Sequence, residues 1–341
     1  NPQYLLLIGR PSYDFRGRVS NTEIYVPNYQ FPSNSTINEL YSYSNDDTFG
    51  LLDDQEGGSS AGMFDVAIGR FPCSTVAQAK AAVDKSITYT EKKNLVSENA
   101  SYISNFGDWR NIMAFCADDE DHSYYMVNAD TFSNIIERQN ANINLDKIYL
   151  DAFQQISNAG GQRYPEVNTA INNRMNRGAL FFTYVGHSGK DGWANERILE
   201  NSDINKWINK YNLPMMLTLS CTFGRYDRPS LSPAELALFN SNGGVSAILT
   251  ANREAWSTNN EHFGKKLFSN FFDNSRGRYP TVGELGIIGK NLNNGNVNER
   301  LRMFVLMGDP SMPLAIPTYR IVTDSINHQP VASLSDTIRA L

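Results

Sequence analysis

A chain of 341 residues, 41% of them hydrophobic, with a formal charge of −6, can bury a sizeable core and divide into two lobes. The negative balance and the lack of a Lys/Arg run exclude the basic footprint of a nucleic-acid binder. No apolar run approaches the roughly 20 residues of a membrane-spanning helix, and the 17 Tyr and 18 Phe are scattered rather than interleaved with basic patches.

The chain opens on NPQYLLLIGR, already at a strand and without a signal-peptide pattern, and closes on PTYRIVTDSINHQP, which resembles the start of a new β segment. Both ends read as those of a piece excised from a longer protein. YLLLIG (4–9) and MFDVAIG (63–69) are predicted as buried strands, separated by turn-rich segments such as FPSNSTIN and DDQEGGSS. A helix follows in FPCSTVAQAKAAVDKSITYTEKK, capped by Ser74 or Thr75. It closes a first, smaller α/β unit near residue 98.

A larger unit, 99–316, repeats the rhythm. RNIMAFCADD is a strand ending in acid, SYYMVNADTFSNIIERQN a helix, KIYLDAF a strand, and YPEVNTAINNRMNRG a helix closed by Gly178. Then come the strand LFFTYVG, a helix in SDINKWINKY, the strand MMLTLSC, a helix in SPAELALFN, the strand GGVSAILTA, helices within 260–293, and the strand RMFVLMG. Strands alternating with helices predict an α/β fold with a mostly parallel sheet covered on both faces. Residues 317–341 read as a linker and the first segment of a further β domain.

Three cysteines, Cys73, Cys116 and Cys221, are an odd number without C-x-x-C spacing, so neither a disulfide framework nor a zinc site is indicated. Two stretches stand apart from the core pattern. LFFTYVGHSG (180–189) and MMLTLSCTFG (215–224) each run from an apolar strand into a reactive side chain, His187 and Cys221. Two such strands joined by one helix would be parallel neighbours, and chemistry in open α/β sheets collects at the carboxyl ends of strands. An imidazole beside a thiol can draw out its nucleophilic form, so the pair fits a Cys–His dyad. Singly, His187 also fits a hydrogen-bonded loop residue and Cys221 an inert core thiol, as do Cys73 and Cys116.

The paired blocks, apolar strand plus His and apolar strand plus Cys, resemble the clan CD cysteine peptidases. SNDDTFG, FDVAIGRFP, DWRNIMAFCADDED, YVGHSGKDGWANERIL, LTLSCTFGRYD, SPAEL and LMGDPSMPL, spread over nearly the whole chain, are similar to its gingipain branch, and most to the gingipain-like sortase of type IX secretion. That resemblance implies a caspase-like doubled α/β domain, two side-by-side sheets, followed by an immunoglobulin-like β domain. It implies that His187 is the general base and Cys221 the nucleophile. The implied reaction removes the C-terminal signal domain from secreted cargo proteins. Its acyl-enzyme is resolved by water or by an amine on anionic lipopolysaccharide, at the bacterial cell surface among outer-membrane secretion-complex partners. That chemistry requires no metal or organic cofactor.

One departure concerns the residue after the histidine. The clan generally carries His-Gly, whereas here Ser188 precedes Gly189, so a side chain enters the turn whose amide, with that of Cys221, would line an oxyanion hole. Asp119, with Asp118 close behind, is the predicted carboxylate orienting His187, although an acid-rich helix start stabilises itself without catalysis. Asp121 and His122 share that loop, and DDEDH is not a specific metal signature. In TANREAWSTNN, Arg253 and Trp256 are predicted to line the substrate cleft, with Asp227 a weaker candidate; a solvent-exposed arginine and a buried anchor are the alternatives. Trp193, Glu196 and Arg197 are assigned to fixing the loop behind His187. Two rival readings remain: an endopeptidase without ligation, and a cargo-binding scaffold without chemistry.

Overall fold

The computed structural model describes residues 2–18, 24–31, 42–54, 56, 62–91, 94–96, 102–104, 106–291, 299–318, 325–326 and 329–330. Eight strands share one sheet: β1 (Tyr4–Ile8), β2 (Ala67–Phe71), β3 (Ile112–Ala117), β4 (Asn144–Tyr149), β5 (Phe181–Val185), β6 (Met215–Leu219), β7 (Ala247–Ala251) and β8 (Phe304–Met307). Their spatial order is β1-β2-β8-β7-β6-β5-β3-β4. Side chains alternate across a strand, so a strand apolar at every position must be covered twice. Met113, Phe115 and Ala117 of β3 enter one core layer while Ala114 and Cys116 enter the other.

Among the described residues, seven helices supply the two covers: α1 (Val76–Thr90), α2 (Tyr124–Gln139), α3 (Pro165–Arg177), α4 (Asn201–Ile204), α5 (Pro233–Phe239), α6 (Ser257–Ser269) and α7 (Val282–Lys290). Helices α2, α6 and α7 pack on one face, through Phe132, Phe268 and Leu285 among others. Helices α3, α4 and α5 pack on the other, with Ala82 of α1 beside them. Thr75, one of the two predicted caps, accepts a hydrogen bond from the Gln78 amide at the start of α1.

The predicted parallel sheet is present, with one reversal. Strand β8 is antiparallel to β7 and parallel to β2, which it meets through the single pair Met307↔Arg70. Strands β1, β2 and β8 therefore run opposite to the other five. The two side-by-side sheets implied by the resemblance are hydrogen-bonded edge to edge into one. The boundary near residue 98 lies outside the described residues, as does most of 319–341. In that segment, Ser325–Ile326 pairs antiparallel with Gln329–Pro330.

Two elements differ from their sequence patterns. The strand predicted at 63–69 forms at Ala67–Phe71, because the Asp65 amide is already used by the Gly50 carbonyl. The helix predicted over 202–211 stops after Asn201–Ile204. The Asn240 side-chain amide donates to the carbonyls of both Ile204 and Trp207, at 3.0 Å each, and the buried Trp207 indole donates to Asn172. A tertiary partner thus takes acceptors that a further helical turn would have used.

Phe268 sits where helix meets sheet, its ring 5.5, 5.3 and 5.8 Å from those of Phe115, Phe132 and Phe181. Truncation there leaves a cavity among rigid rings. Phe268→Ala is expected to cost about 3–5 kcal/mol of stability in urea unfolding; a loss below about 1 kcal/mol would show that the aromatic layer closes over the gap.

Candidate active site

Strands β5 and β6 pair in parallel, from Phe181↔Met215 to Val185↔Leu219. His187 and Cys221 each lie two residues past the last pair, so the ladder delivers both to adjacent positions at one edge of the sheet. Gly186, between strand and histidine, has φ +156°, and a Cβ there would come within 2.4 Å of Asp118 Cβ. Only glycine allows so close an approach. Backbone bonds then fix the histidine: its N–H donates to Asp118 Oδ2 at 2.9 Å, and its carbonyl accepts from Tyr184 Oη at 2.7 Å and Ala194 N at 2.8 Å.

The imidazole is 41% exposed and faces acid. Its Nε2 lies 3.5 Å from Glu120 Oε2, 3.4 Å from Asp121 Oδ2 and 3.4 Å from Tyr125 Oη. The Tyr125 ring stands edge-on to it at 5.2 Å, and its hydroxyl donates to Asp121 Oδ2 at 2.6 Å. This arrangement fixes the orientation of the ring.

Cys221 is half-buried. Among the described residues its thiol hydrogen-bonds the Ala255 carbonyl, at 3.5 Å, rather than the imidazole. Burial pushes the thiol above its ordinary pKa, and the Glu254 carboxylate pushes it further. Thr222, next in the chain, is held at φ +49° with its N–H donating to Arg253 O, an uncommon conformation for a β-branched residue. Ser188 closes the gap between the two loops: its hydroxyl donates to the Cys221 carbonyl. The side chain that departs from the His-Gly pattern thus ties the histidine turn to the cysteine turn.

Behind the histidine a three-stranded hairpin runs Ser188–Gly189, Gly192–Trp193 and Leu199–Glu200. Trp193 is fully buried and stacks on Tyr184, with centroids 4.2 Å apart, in keeping with its predicted anchoring part. A cleft of about 640 Å³ opens along this hairpin, lined by His187, Ser188, Gly189, Lys190, Asn195 and Arg197 among others.

The other predicted residues fall in different places. Asp119 does not contact the imidazole; its Oδ2 accepts from the Tyr164 hydroxyl at 2.6 Å. Asp118 holds the histidine backbone, while Glu120 and Asp121 face the ring. Arg253 is only 2% exposed and does not face a substrate cleft. Its guanidinium grips Asp227 at 3.1 and 2.6 Å and donates to the Ser42 carbonyl at 2.8 Å. Asp227, also fully buried, accepts from Ser44 Oγ at 2.5 Å. Burial opposes the Asp227 charge, but Arg253 and Ser44 outweigh it and hold the carboxyl below its ordinary pKa. Trp256 is 55% exposed, one residue past the carbonyl that meets the Cys221 thiol. Sequence reasoning passed over Glu120 and Tyr125; Asp121, His122 and Ser123 turn through the left-handed region, φ +55° to +66°, before the helix starts at Tyr124, so no helical spacing signals the Tyr125–Asp121 contact.

Breaking the Arg253–Asp227 pair from one side strands a buried charge. Arg253→Met is expected to lose about 3–5 kcal/mol in urea unfolding, with much of it regained in Arg253→Met/Asp227→Leu. Equal losses in the single and double variants would show that the two side chains are not coupled.

Comparison with solved structures finds the same fold in the Arg-specific cysteine proteinase gingipain R (RgpB), at TM-score 0.67 and 16% identity, covering 92% of this chain and 64% of that one. The complex of Porphyromonas gingivalis RgpB pro- and mature domains matches at TM-score 0.63 and 16% identity, with 92% and 66% covered. The chain thus spans just under two thirds of the length of these structures. Dimeric latent PorU from Porphyromonas gingivalis aligns at TM-score 0.40 and 21% identity, over 96% of this chain and 25% of that one. No curated protein sequence gives a significant match. The family profile described as peptidase family C25 matches residues 1–315, and the chain belongs to that family.

Proposed function

We propose that this chain carries the catalytic centre of a cysteine peptidase in which Cys221 is the nucleophile and His187 its proton-transfer partner. The observation that carries this reading is the parallel β5–β6 register, with His187 and Cys221 each two residues beyond the Val185↔Leu219 pair. Membership of peptidase family C25 agrees with it.

The proposed mechanism has His187 take the thiol proton as attack occurs. As Cys221 Sγ attacks the scissile carbonyl, its proton passes to His187 and an S–C bond forms. The carbonyl oxygen becomes an oxyanion, for which backbone N–H groups of the Ser188–Gly189 turn and of Cys221 are the proposed donors. Collapse breaks the C–N bond, and His187 returns the proton to the leaving amine. Glu120 and Asp121 stabilise the imidazolium while it holds the proton. The resulting thioester is then opened by water or by an amine, and His187 takes the proton of whichever attacks.

The finer reading is that the substrate is a type IX secretion cargo whose C-terminal signal domain leaves with the first amine. The acceptor is an amine on anionic lipopolysaccharide, which makes the enzyme a sortase, and the setting is the bacterial outer surface. This rests on the chain-long set of sequence blocks that resemble the sortase branch. Hydrolysis without ligation, the gingipain-like alternative, shares the same thioester. Among the described residues no helix is long and apolar enough to cross a membrane.

Two measurements test these steps. Cargo from cells carrying Cys221→Ala is expected to keep its C-terminal domain and to lack a lipopolysaccharide adduct by mass spectrometry. Equal processing in wild type and variant would remove Cys221 from cargo maturation, and free carboxyl termini alone on wild-type cargo would reject ligation. Iodoacetamide labelling of Cys221 is expected to rise with pH through a midpoint above the ordinary thiol value. That midpoint should fall in Glu254→Gln, because removing a neighbouring carboxylate favours the thiolate; an unmoved midpoint would rule out Glu254 as its cause.

A further inference from the structure

The residues lining the cleft beside His187 all lie within 187–200, on the hairpin that follows β5. Cys221 and the loop that meets its thiol through Ala255 stand outside it. The sheet runs β7-β6-β5, so the Ala255 loop, the thiol and the cleft follow one another along its edge. Acid–base chemistry then gives the cleft a side. His187 returns a proton to the departing amine and takes one from an attacking amine, so both amines stand on the histidine's side of the thioester. The atoms attached to them extend into this cleft.

Its charges are built in. Ala194 and Arg197 are held at φ +56° and +55°, with the Ala194 N–H donating to His187 O at 2.8 Å and the Arg197 N–H to Ala194 O at 3.2 Å. Two non-glycine residues in the left-handed region carry a conformational cost that the surrounding structure must offset; they fix the backbone from which Arg197 projects. The Lys190 carbonyl accepts from Arg228 Nη2 at 3.2 Å, and a Cβ added at neighbouring Gly189 would meet nothing within 4 Å. Among the described residues the Lys190 ammonium has no ion-pair partner. Arg197 meets only Glu200, at 3.8 Å, and both ends are largely exposed, so that pair contributes little and exchanges readily. Asp191 acts on Arg228 instead. Opposite charge stands at the ring, where Glu120 accepts from Asn195 Nδ2 at 3.0 and 3.2 Å and Asp121 lies beside it.

We propose that this cleft binds the amine component of acyl transfer, and that Lys190 and Arg197 select an amine carrying a carboxylate or phosphate. Glu120 and Asp121 draw the amino group toward the ring, while the two cations hold the anionic group through charge-assisted hydrogen bonds. The anion belongs either to acidic residues at the new amino terminus of the leaving peptide or to an acceptor amine that bears phosphate. The assignment of the amine to this side rests on the Cys221–His187 reading.

The test is an NMR titration followed at the His187 ring protons, which are identified by their absence in His187→Gln. The probes are O-phosphoethanolamine against ethanolamine, and the tripeptide Ser-Asp-Asp amide against Ser-Asn-Asn amide. The anionic member of at least one pair is expected to bind about tenfold more tightly at low salt, and the advantage should shrink as ionic strength rises. It should vanish in Lys190→Ala/Arg197→Ala, where both substitutions are at exposed positions and leave the fold intact. An advantage confined to the tripeptide identifies the leaving peptide as the source of the anion, and one confined to the phosphate identifies the acceptor. Equal binding within both pairs in wild type overturns the proposal, as does an anionic preference that survives in the double variant. The titration does not use the thiol, so its outcome is separate from that of the Cys221→Ala cargo measurement: a lost preference with cargo still dependent on Cys221 sinks the cleft assignment alone.

Discussion

Everything in this protein that bears on chemistry depends on the parallel pairing of β5 with β6. Five consecutive residue pairs lock the two strands, and each strand is buried at every position. A one-residue slip of β5 would exchange the faces of its five side chains, moving Phe182 and Tyr184 out of the layer that holds Trp193 and Phe223. The hydrophobic core thus enforces the register. The register in turn fixes the distance along the sheet edge at which His187 and Cys221 leave it. Ser188, bonded to the Cys221 carbonyl, carries that alignment from the ladder into the loops.

Charge is distributed unevenly around this edge. The turn after β3 supplies four consecutive acids, Asp118 to Asp121, which divide among three neighbours. Asp118 holds the histidine backbone, Asp119 meets Tyr164, and Glu120 and Asp121 meet the ring. On the cysteine side, burial and then the Glu254 carboxylate push the thiol above its ordinary pKa.

The buried ion pairs serve a different end. Arg253 with Asp227, and Arg70 with Asp46 at 2.7 Å, attach long irregular segments to the sheet. Arg70 also donates to the carbonyls of Gly9, Val26 and Pro27, and Arg253 to that of Ser42. Loops lack a ladder to absorb their polar groups. A guanidinium with five donors can satisfy several carbonyls and a carboxylate together, which explains why Arg70 and Arg253 lie in the core.

The sequence alone determined the order of strands and helices from β3 onward, because apolar periodicity is a local property that burial on two faces imposes on each segment. It also marked His187 and Cys221, since each interrupts an apolar run at its carboxyl end. The truncated helix after Glu200 depended on Asn240, some 33 residues from Trp207, which no local pattern records. Only the tertiary structure decided which acid of the 118–121 turn meets the imidazole, because neighbouring side chains in a turn diverge and their directions are set by what packs against them. It likewise decided that Arg253 turns inward: its partners, Asp227 and Ser42, lie 26 and 211 residues away. Charge complementarity in a buried site is a property of segments brought together by folding, and it is absent from the spacing of residues along the chain.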